Sequence, residues 1–291
     1  MAKWTLADMP PQNDRTVIVT GANSGIGRAA ATAFAAAGAR VILACRNVDK
    51  GNAAAATMAD TVEVRALDLA GLASIREFAT SVDEPIDILV NNAGVMAIPH
   101  RRTADGFEMQ VGTNHLGHFA LTGLLLDRIR DRVVTVSSTV HWAGRIDLAD
   151  LNWEHRRYRR WLAYAQSKLA NLLFTHELAE RLTAAGSPLK AHAAHPGYAS
   201  TNLQSHTESV LDMIMAVGNR MVAQSAAIGA LPTLMAATAD LPNGSFTGPG
   251  GITAQHGYPK VVGSSRASHN RETAAALWSL SEKLTDVTFP V

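Results

Sequence analysis

Thr16-Val17-Ile18-Val19-Thr20-Gly21-Ala22-Asn23-Ser24-Gly25-Ile26-Gly27 carries two signals in direct succession. The β-branched run Thr16–Thr20 reads as a buried strand. Gly21–Gly27 is a glycine-rich turn, and the Ala-rich run Arg28–Ala37, stopped by Gly38, predicts a helix. Strand, tight turn and helix form the context in which backbone N–H groups and a helix N-terminus receive a phosphate. On that reading Gly21, Asn23, Ser24, Gly25, Ile26 and Gly27 surround the pyrophosphate of a dinucleotide. The spacing Gly21-x-x-x-Gly25-x-Gly27 departs from the common Gly-x-Gly-x-x-Gly fingerprint, so on this stretch alone an ordinary glycine-rich turn stays open.

The alternation continues outward. Arg40–Ala44, Val62–Leu67, Ile86–Val90, Arg132–Ser137 and Leu189–Ala194 read as further strands. Helices are expected around Val48–Ala59, Leu72–Val82, Phe107–Ile129 and Leu162–Leu178. Strands alternating with helices predict an α/β fold: a single doubly wound Rossmann-type domain over 1–291, its parallel sheet covered by helices on both faces. Three stretches break the pattern. Residues 143–160 are polar and irregular, 198–223 are Met-rich, and 244–265 are rich in Gly and Ser. In an open parallel sheet ligands bind at the carboxyl ends of the strands, where long loops cover them. Met213, Met215 and Met221 make 198–223 a candidate lid over an apolar substrate, or else they fill gaps in the core.

The stretch Leu162–Leu178 places Tyr164 and Lys168 four apart, one above the other on a helix face. A phenol is a poor acid, with an ordinary pKa of about 10, and an ammonium group one turn away favours its ionised form. The pair suits proton exchange in carbonyl and alcohol chemistry, although a partly buried Tyr beside a solvated Lys has the same spacing. Past the second strand, an acidic residue would bind the adenosine ribose and an Arg would accommodate a 2′-phosphate. This chain has Arg46 there and no carboxylate until Asp49. That favours NADP over NAD, with plain surface charge as the alternative for Arg46. Asp68-Leu69, at the end of the third strand, can face the adenine, while a helix N-cap is the plain role for Asp68.

The 291 residues are 47% hydrophobic and carry a net charge of +1, which gives no reason to expect a nucleic-acid partner. The lone Cys45 cannot form an intramolecular disulfide and fits a reducing compartment, so a cytoplasmic location is expected. Next to Arg46 its thiol is either activated or a small strand-end hydrophobe. Met1–Thr16 contains no apolar run of signal-peptide length. Val210–Ala239 is interrupted by Asp212, Asn219, Arg220 and Gln224, so no membrane span is expected. The eleven histidines lack metal-ligand spacing; His192 and His195 are expected to pack at a strand end, and no metal is expected. Arg156-Arg157-Tyr158-Arg159-Arg160 reads as a solvated face, or as a site for an acidic substrate or anionic membrane.

In chain order, the Gly loop Thr20–Gly27, Asn91-Asn92-Ala93-Gly94, Asn114, Val136-Ser137-Ser138, Tyr164-x-x-x-Lys168 and Pro196-Gly197 resemble the short-chain dehydrogenase/reductase family over nearly the whole length. Leu43-Ala44-Cys45-Arg46 and Tyr164-Ala-Gln-Ser-Lys-Leu-Ala-Asn resemble its retinol-dehydrogenase-like branch, which the long gap from Ser138 to Tyr164 also suits. The resemblance implies an oxidoreductase, mostly NADP-dependent, acting on small hydrophobic alcohols, aldehydes or ketones; the sequence leaves the oligomeric state open, homodimer and homotetramer included. It implies that Ser138 holds the substrate oxygen, that Tyr164 exchanges the proton, and that Lys168 lowers the Tyr164 pKa and holds the nicotinamide ribose. Asn114 would support a water beside Lys168. Asn91, Ala93 and Gly94 would line the adenine-ribose side, and Pro196, Gly197 and Thr201 the nicotinamide. Ser137 would be structural. Substrate is expected near Trp142, Trp153 and Met213. Two alternatives accompany this reading: a cofactor-sensing protein without turnover, and a light-driven reductase like protochlorophyllide reductase.

Overall fold

The computed structural model describes residues 3–197, 225–251 and 255–291. Eight strands form one sheet: β1 Thr16–Thr20, β2 Arg40–Cys45, β3 Val62–Ala66, β4 Ile86–Asn91, β5 Ile129–Val136, β6 Lys190–Ala194, β7 Phe246–Pro249 and β8 Pro259–Val261. Their order is β3-β2-β1-β4-β5-β6-β7-β8. All neighbours pair in parallel except β7 and β8, where Gly248 faces Lys260 in an antiparallel edge pair. The chain runs outward from β1 to β3 and then returns to place β4 on the other side of β1. The carboxyl ends of β1 and β4 are therefore the switch point of the doubly wound sheet, where a crevice opens for a ligand.

Alternation along β1 explains the layers. Ile18 packs into a core with Leu89, Phe78, Phe119, Leu178 and Trp278 on one face of the sheet. Val17 and Val19 point the other way, into a core with Val90, Phe34 and Leu234. The first face is covered by α3 Leu72–Thr80, α5 Gly117–Leu125, α6 Arg160–Ala184 and α8 Arg271–Thr285; the second by α1 Gly25–Ala36, α2 Val48–Ala55 and α7 Ala226–Thr238. A strand buried on both faces needs apolar residues throughout, which is why the sequence shows continuous β-branched runs rather than alternation.

Several boundaries differ from the sequence reading. The expected long helix 107–129 is instead α4 Met109–Val111, a π-helical turn Gly112–Leu116 and α5, and β5 already begins at Ile129. No Gly or Pro separates that helix from the strand, so the apolar run hides the junction. The Gly- and Ser-rich stretch 244–265 contains β7 and β8. These are short strands: Pro259 lies on the edge strand β8, and Pro249 lies beyond the two residues by which β7 pairs with β6, positions where proline is tolerated. Helix α7 continues through Pro232 and has no polar face to announce it. Helix α6 is buried on every side from Ala163 to Thr175, not along the single stripe its leucines predict. No helix among the described residues is long and apolar enough to cross a membrane.

Candidate active site

The turn after β1 is packed against the turn after β4 with no room for side chains. Gly21 has φ +65, and a Cβ there would lie 2.9 Å from the Ala93 Cβ. A Cβ on Gly27 would run into the Asn92 amide and stand 2.8 Å from the Gly21 carbonyl. The Thr20 hydroxyl accepts from Asn92 N and Ala93 N, both at 2.9 Å, and Asn92 Nδ2 donates to the Thr20 carbonyl at 2.8 Å. Helix α1 begins here. Its N-cap Ser24 makes no side-chain cap, so the first N–H groups of the helix find no partner from that residue. Asn23, Ser24, Gly25 and Ile26 are all partly exposed beside them. That is a cradle with donors to spare, and it fits a pyrophosphate.

Around this cradle the residues picked from sequence fall as follows. Arg46 is exposed, one residue past β2. Cys45 is buried and its thiol is pushed up by that burial, so it is a strand-end hydrophobe rather than an activated thiol. Asp68 is not a helix N-cap: Gly71 caps α3, and the Asp105 carboxylate accepts from Leu72 N at 2.9 Å. Asp68 Oδ1 accepts from Ala70 N at 3.0 Å instead, and the buried Leu69 lies against α5 at Gly117. The Asn91 side chain is fully buried and donates to Thr122 at 2.9 Å, so it braces β4 against α5 and does not point into the crevice. Pro196 and Gly197 follow β6, with Gly197 at φ +68 and its N–H donated to His195 Nδ1 at 3.2 Å. Thr201, the candidate lid 198–223 and its methionines lie outside the described residues.

The chemistry-bearing side chains converge beside the cradle. Ser138 lies just past β5, its hydroxyl accepting from Val140 N at 3.3 Å. The Tyr164 phenol on α6 hydrogen-bonds that hydroxyl. Lys168 Nζ donates to the Val136 carbonyl at 3.0 Å and sits 5.7 Å from the Tyr164 ring centre. A Cβ on Gly94 would be 3.0 Å from Asn114 Oδ1 and 3.6 Å from Lys168 Nζ, so Gly94 lies between the two. Asn114 occupies the π-helical turn, a feature frequent at functional sites. Its Nδ2 donates to Val95 O and Ser167 Oγ, both at 2.9 Å, and its Oδ1 accepts from Val95 N at 2.8 Å. Ser137 donates to the Lys168 carbonyl at 2.8 Å and so ties β5 to α6.

Burial governs the protonation of this set. It pushes the Tyr164 phenol up to about 12, with the Ser138 hydrogen bond pulling the other way, and it brings Lys168 down to about 8. Lys168 is expected from the sequence to lower the Tyr164 pKa; in the fold burial dominates and the phenol lies above its ordinary value. Tyr164 rests as a neutral phenol at pH 7, the form that can give a proton.

Two further sequence expectations change. Trp153 is buried and carries the Arg156 guanidinium over its ring at 3.8 Å, so it does not face substrate. The basic run is not one solvated face. Arg156 pairs with Asp150 at 3.4 Å and donates to Gln166 at 2.6 Å, and Tyr158 hydrogen-bonds the buried Glu108 at 3.0 Å; Arg157 and Arg159 are exposed. The sequence reading also missed His118 and His141. Each stands one turn after a site residue, and each donates from Nδ1 to that residue's carbonyl: His118 to Asn114 at 3.0 Å, His141 to Ser138 at 2.7 Å. Spacing from Asn114 and Ser138 was the only available signal.

The profile of the short chain dehydrogenase family matches residues 15–211. Human retinol dehydrogenase 13 is 53% identical over 205 residues, which cover 66% of this chain and 61% of that protein. The chain therefore matches about three fifths of that relative's length. Human retinol dehydrogenase 12 is 42% identical over 286 residues, covering 93% of this chain and 86% of that protein. Among solved structures, an uncharacterised protein from Mycobacterium paratuberculosis is 56% identical, with each chain fully covered and a TM-score of 0.88.

Proposed function

This chain belongs to the short-chain dehydrogenase family, and from that premise we propose that it is an NADP-dependent oxidoreductase acting on apolar carbonyl compounds and alcohols. The observation that carries the reading is the neutral Tyr164 phenol hydrogen-bonded to Ser138 beside Lys168, next to a phosphate cradle at the switch point. Bound NADPH supplies the hydride. In the reducing direction the Ser138 hydroxyl and the Tyr164 phenol hold the carbonyl oxygen, and hydrogen bonds that strengthen as charge develops there lower the barrier. Tyr164 then gives its proton to that oxygen. Lys168, largely protonated at neutral pH, stabilises the phenolate left behind. In the oxidising direction the phenolate takes the proton back.

The choice of NADP rests on Arg46, exposed where a 2′-phosphate would lie and with no carboxylate beside it until Asp49. The choice of apolar substrates rests on Trp161, 42% exposed with its ring edge-on to Tyr164 at 6.3 Å, and on the exposed Trp142 beyond Ser138. The names of the relatives, retinol dehydrogenases, point the same way. The buried lone thiol of Cys45 fits a reducing compartment such as the cytoplasm. The direct test is oxidation of NADPH, with NADH in parallel, across a panel of apolar aldehydes and ketones that includes retinal. NADPH-dependent turnover is expected. Tight NADPH binding without turnover of any member would overturn the reading in favour of a cofactor-binding protein.

A further inference from the structure

We propose that His118 is a positioning residue that couples the nucleotide-binding turn to the catalytic set, accepting a hydrogen bond from Thr20 and donating one to Asn114; the proposal rests on the oxidoreductase reading above. His118 is 1% exposed and lies on α5, one turn past Asn114. Its Nδ1 is 3.0 Å from the Asn114 carbonyl and its Nε2 is 2.9 Å from Thr20 Oγ1. A carbonyl oxygen only accepts, so Nδ1 carries the proton. Burial, the larger cause, and the positive charge of Lys168 hold the imidazole pKa down at about 4, so the ring is neutral and Nε2 is bare. A bare Nε2 accepts from the Thr20 hydroxyl.

The direction of that bond decides the rest of the turn. A hydroxyl has one donor and two acceptor lone pairs. With its proton given to His118, Thr20 Oγ1 has both lone pairs for the N–H groups of Asn92 and Ala93, each at 2.9 Å. In the opposite tautomer Thr20 Oγ1 would accept three hydrogen bonds, its own proton would have only the Val90 carbonyl at 3.4 Å, and the Asn114 carbonyl would face a bare nitrogen. From Asn114 the path continues through Ser167, whose hydroxyl donates to the Tyr164 carbonyl at 2.8 Å. Thr20, His118, Asn114 and Ser167 thus link the cradle to the helix turn that carries Tyr164 and Lys168. An apolar ring would fill the same space and supply neither bond.

The test separates the two bonds. An Asn side chain places its amide near the Nδ1 position and a Gln side chain near Nε2. His118→Asn keeps a donor for Asn114 but removes the acceptor for Thr20. NADPH affinity, read by fluorescence titration without any substrate, is expected to weaken by about fivefold or more, the cost of an unpaired buried hydroxyl, while kcat falls less. His118→Gln is expected to show the reverse split, and His118→Phe both losses. In the wild type, ¹⁵N NMR of the labelled imidazole is expected to report the Nδ1–H tautomer. Equal losses in affinity and kcat for the Asn and Gln variants, or an Nε2–H tautomer, would overturn the proposal. If the variants fail to fold, the tautomer measurement decides alone. A wild type that binds neither NADPH nor NADH would sink the oxidoreductase reading, and the tautomer would still judge the Thr20–His118 bond.

Discussion

At the nucleotide end of the site backbone lies against backbone. Gly21 and Gly27 leave no space for a Cβ, the Thr20 hydroxyl is fully engaged, and His118 is sealed beneath. At the catalytic end the reacting side chains are buried but two large apolar ones are not: Trp161, 42% exposed beside Tyr164, and Trp142, 63% exposed and four residues past Ser138. On the proposed function, the two ends are built differently because they would recognise different things. A pyrophosphate is held by directed N–H groups at close range, which demands particular residues at particular spacings. An apolar substrate is held by contact area, which many combinations of large side chains supply equally well. The first leaves an imprint in the sequence and the second does not.

The difference can be broken or sharpened experimentally, beginning with acid. Burial holds His115, inside the π-helical turn and hydrogen-bonded to Ser281, at about 3, and His118, beneath the Thr20 turn, at about 4; His192 and His195, on or next to β6, are held at about 4. Their folded pKa values lie below the ordinary 6.5, so the unfolded chain binds protons first as pH falls. Stability from these groups is complete above about pH 6.5 and is lost from there toward pH 4, by about tenfold in the folding equilibrium per pH unit for each histidine. Hydrogen exchange at pH 5 should therefore show the Gly112–Leu116 turn opening before the 160–164 segment. Simultaneous opening of both would remove the distinction between the ends.

Tyr164→Phe should cut kcat by about 10²–10⁴-fold, the usual range for a lost general acid. NADPH affinity should stay within error, since the ring still packs and the cradle is untouched. A matching loss of affinity in fluorescence titration would mean that the phenol belongs to the nucleotide end as well. Arg46→Asp acts at the opposite pole. A carboxylate repels a 2′-phosphate, and losing a charge-assisted contact is worth roughly 1.5–3 kcal/mol, or about 10–100-fold in the NADPH:NADH preference. Titration of both cofactors reads it directly, and an unchanged ratio would detach Arg46 from the phosphate.

What the sequence made legible follows the same divide. The strand–turn–helix at Thr16–Ala36, the six sequential strands and the Tyr164–Lys168 pair were all readable, because burial on two faces and helical spacing dictate residue type. The π-helical turn under Asn114 was not, since inserting one residue in a helix needs no composition of its own. Nor were β7 and β8, too short and too rich in Gly and Pro to show strand character. The direction of the Tyr164 shift is illegible for a related reason: spacing shows the neighbour Lys168, but only the assembled fold shows how thoroughly both are desolvated.

The smallest effect is expected at Trp161, and it bears most directly on the divide. The indole stands second in α6, three residues before Tyr164, with its ring edge-on to the phenol at 6.3 Å. If it serves as an apolar wall, Trp161→Ala removes contact area from a long substrate and little from a short one. A loss of about 1 kcal/mol, roughly fivefold in kcat/KM, is expected for retinal, with almost none for a short aldehyde such as butanal. NADPH affinity should not move. An equal loss for both substrates would mean that Trp161 acts by holding the Tyr164 ring in place, a directed role that does not depend on substrate length. The substrate end would then be built on positioned contacts like the nucleotide end, and the missing imprint in the sequence would need another cause.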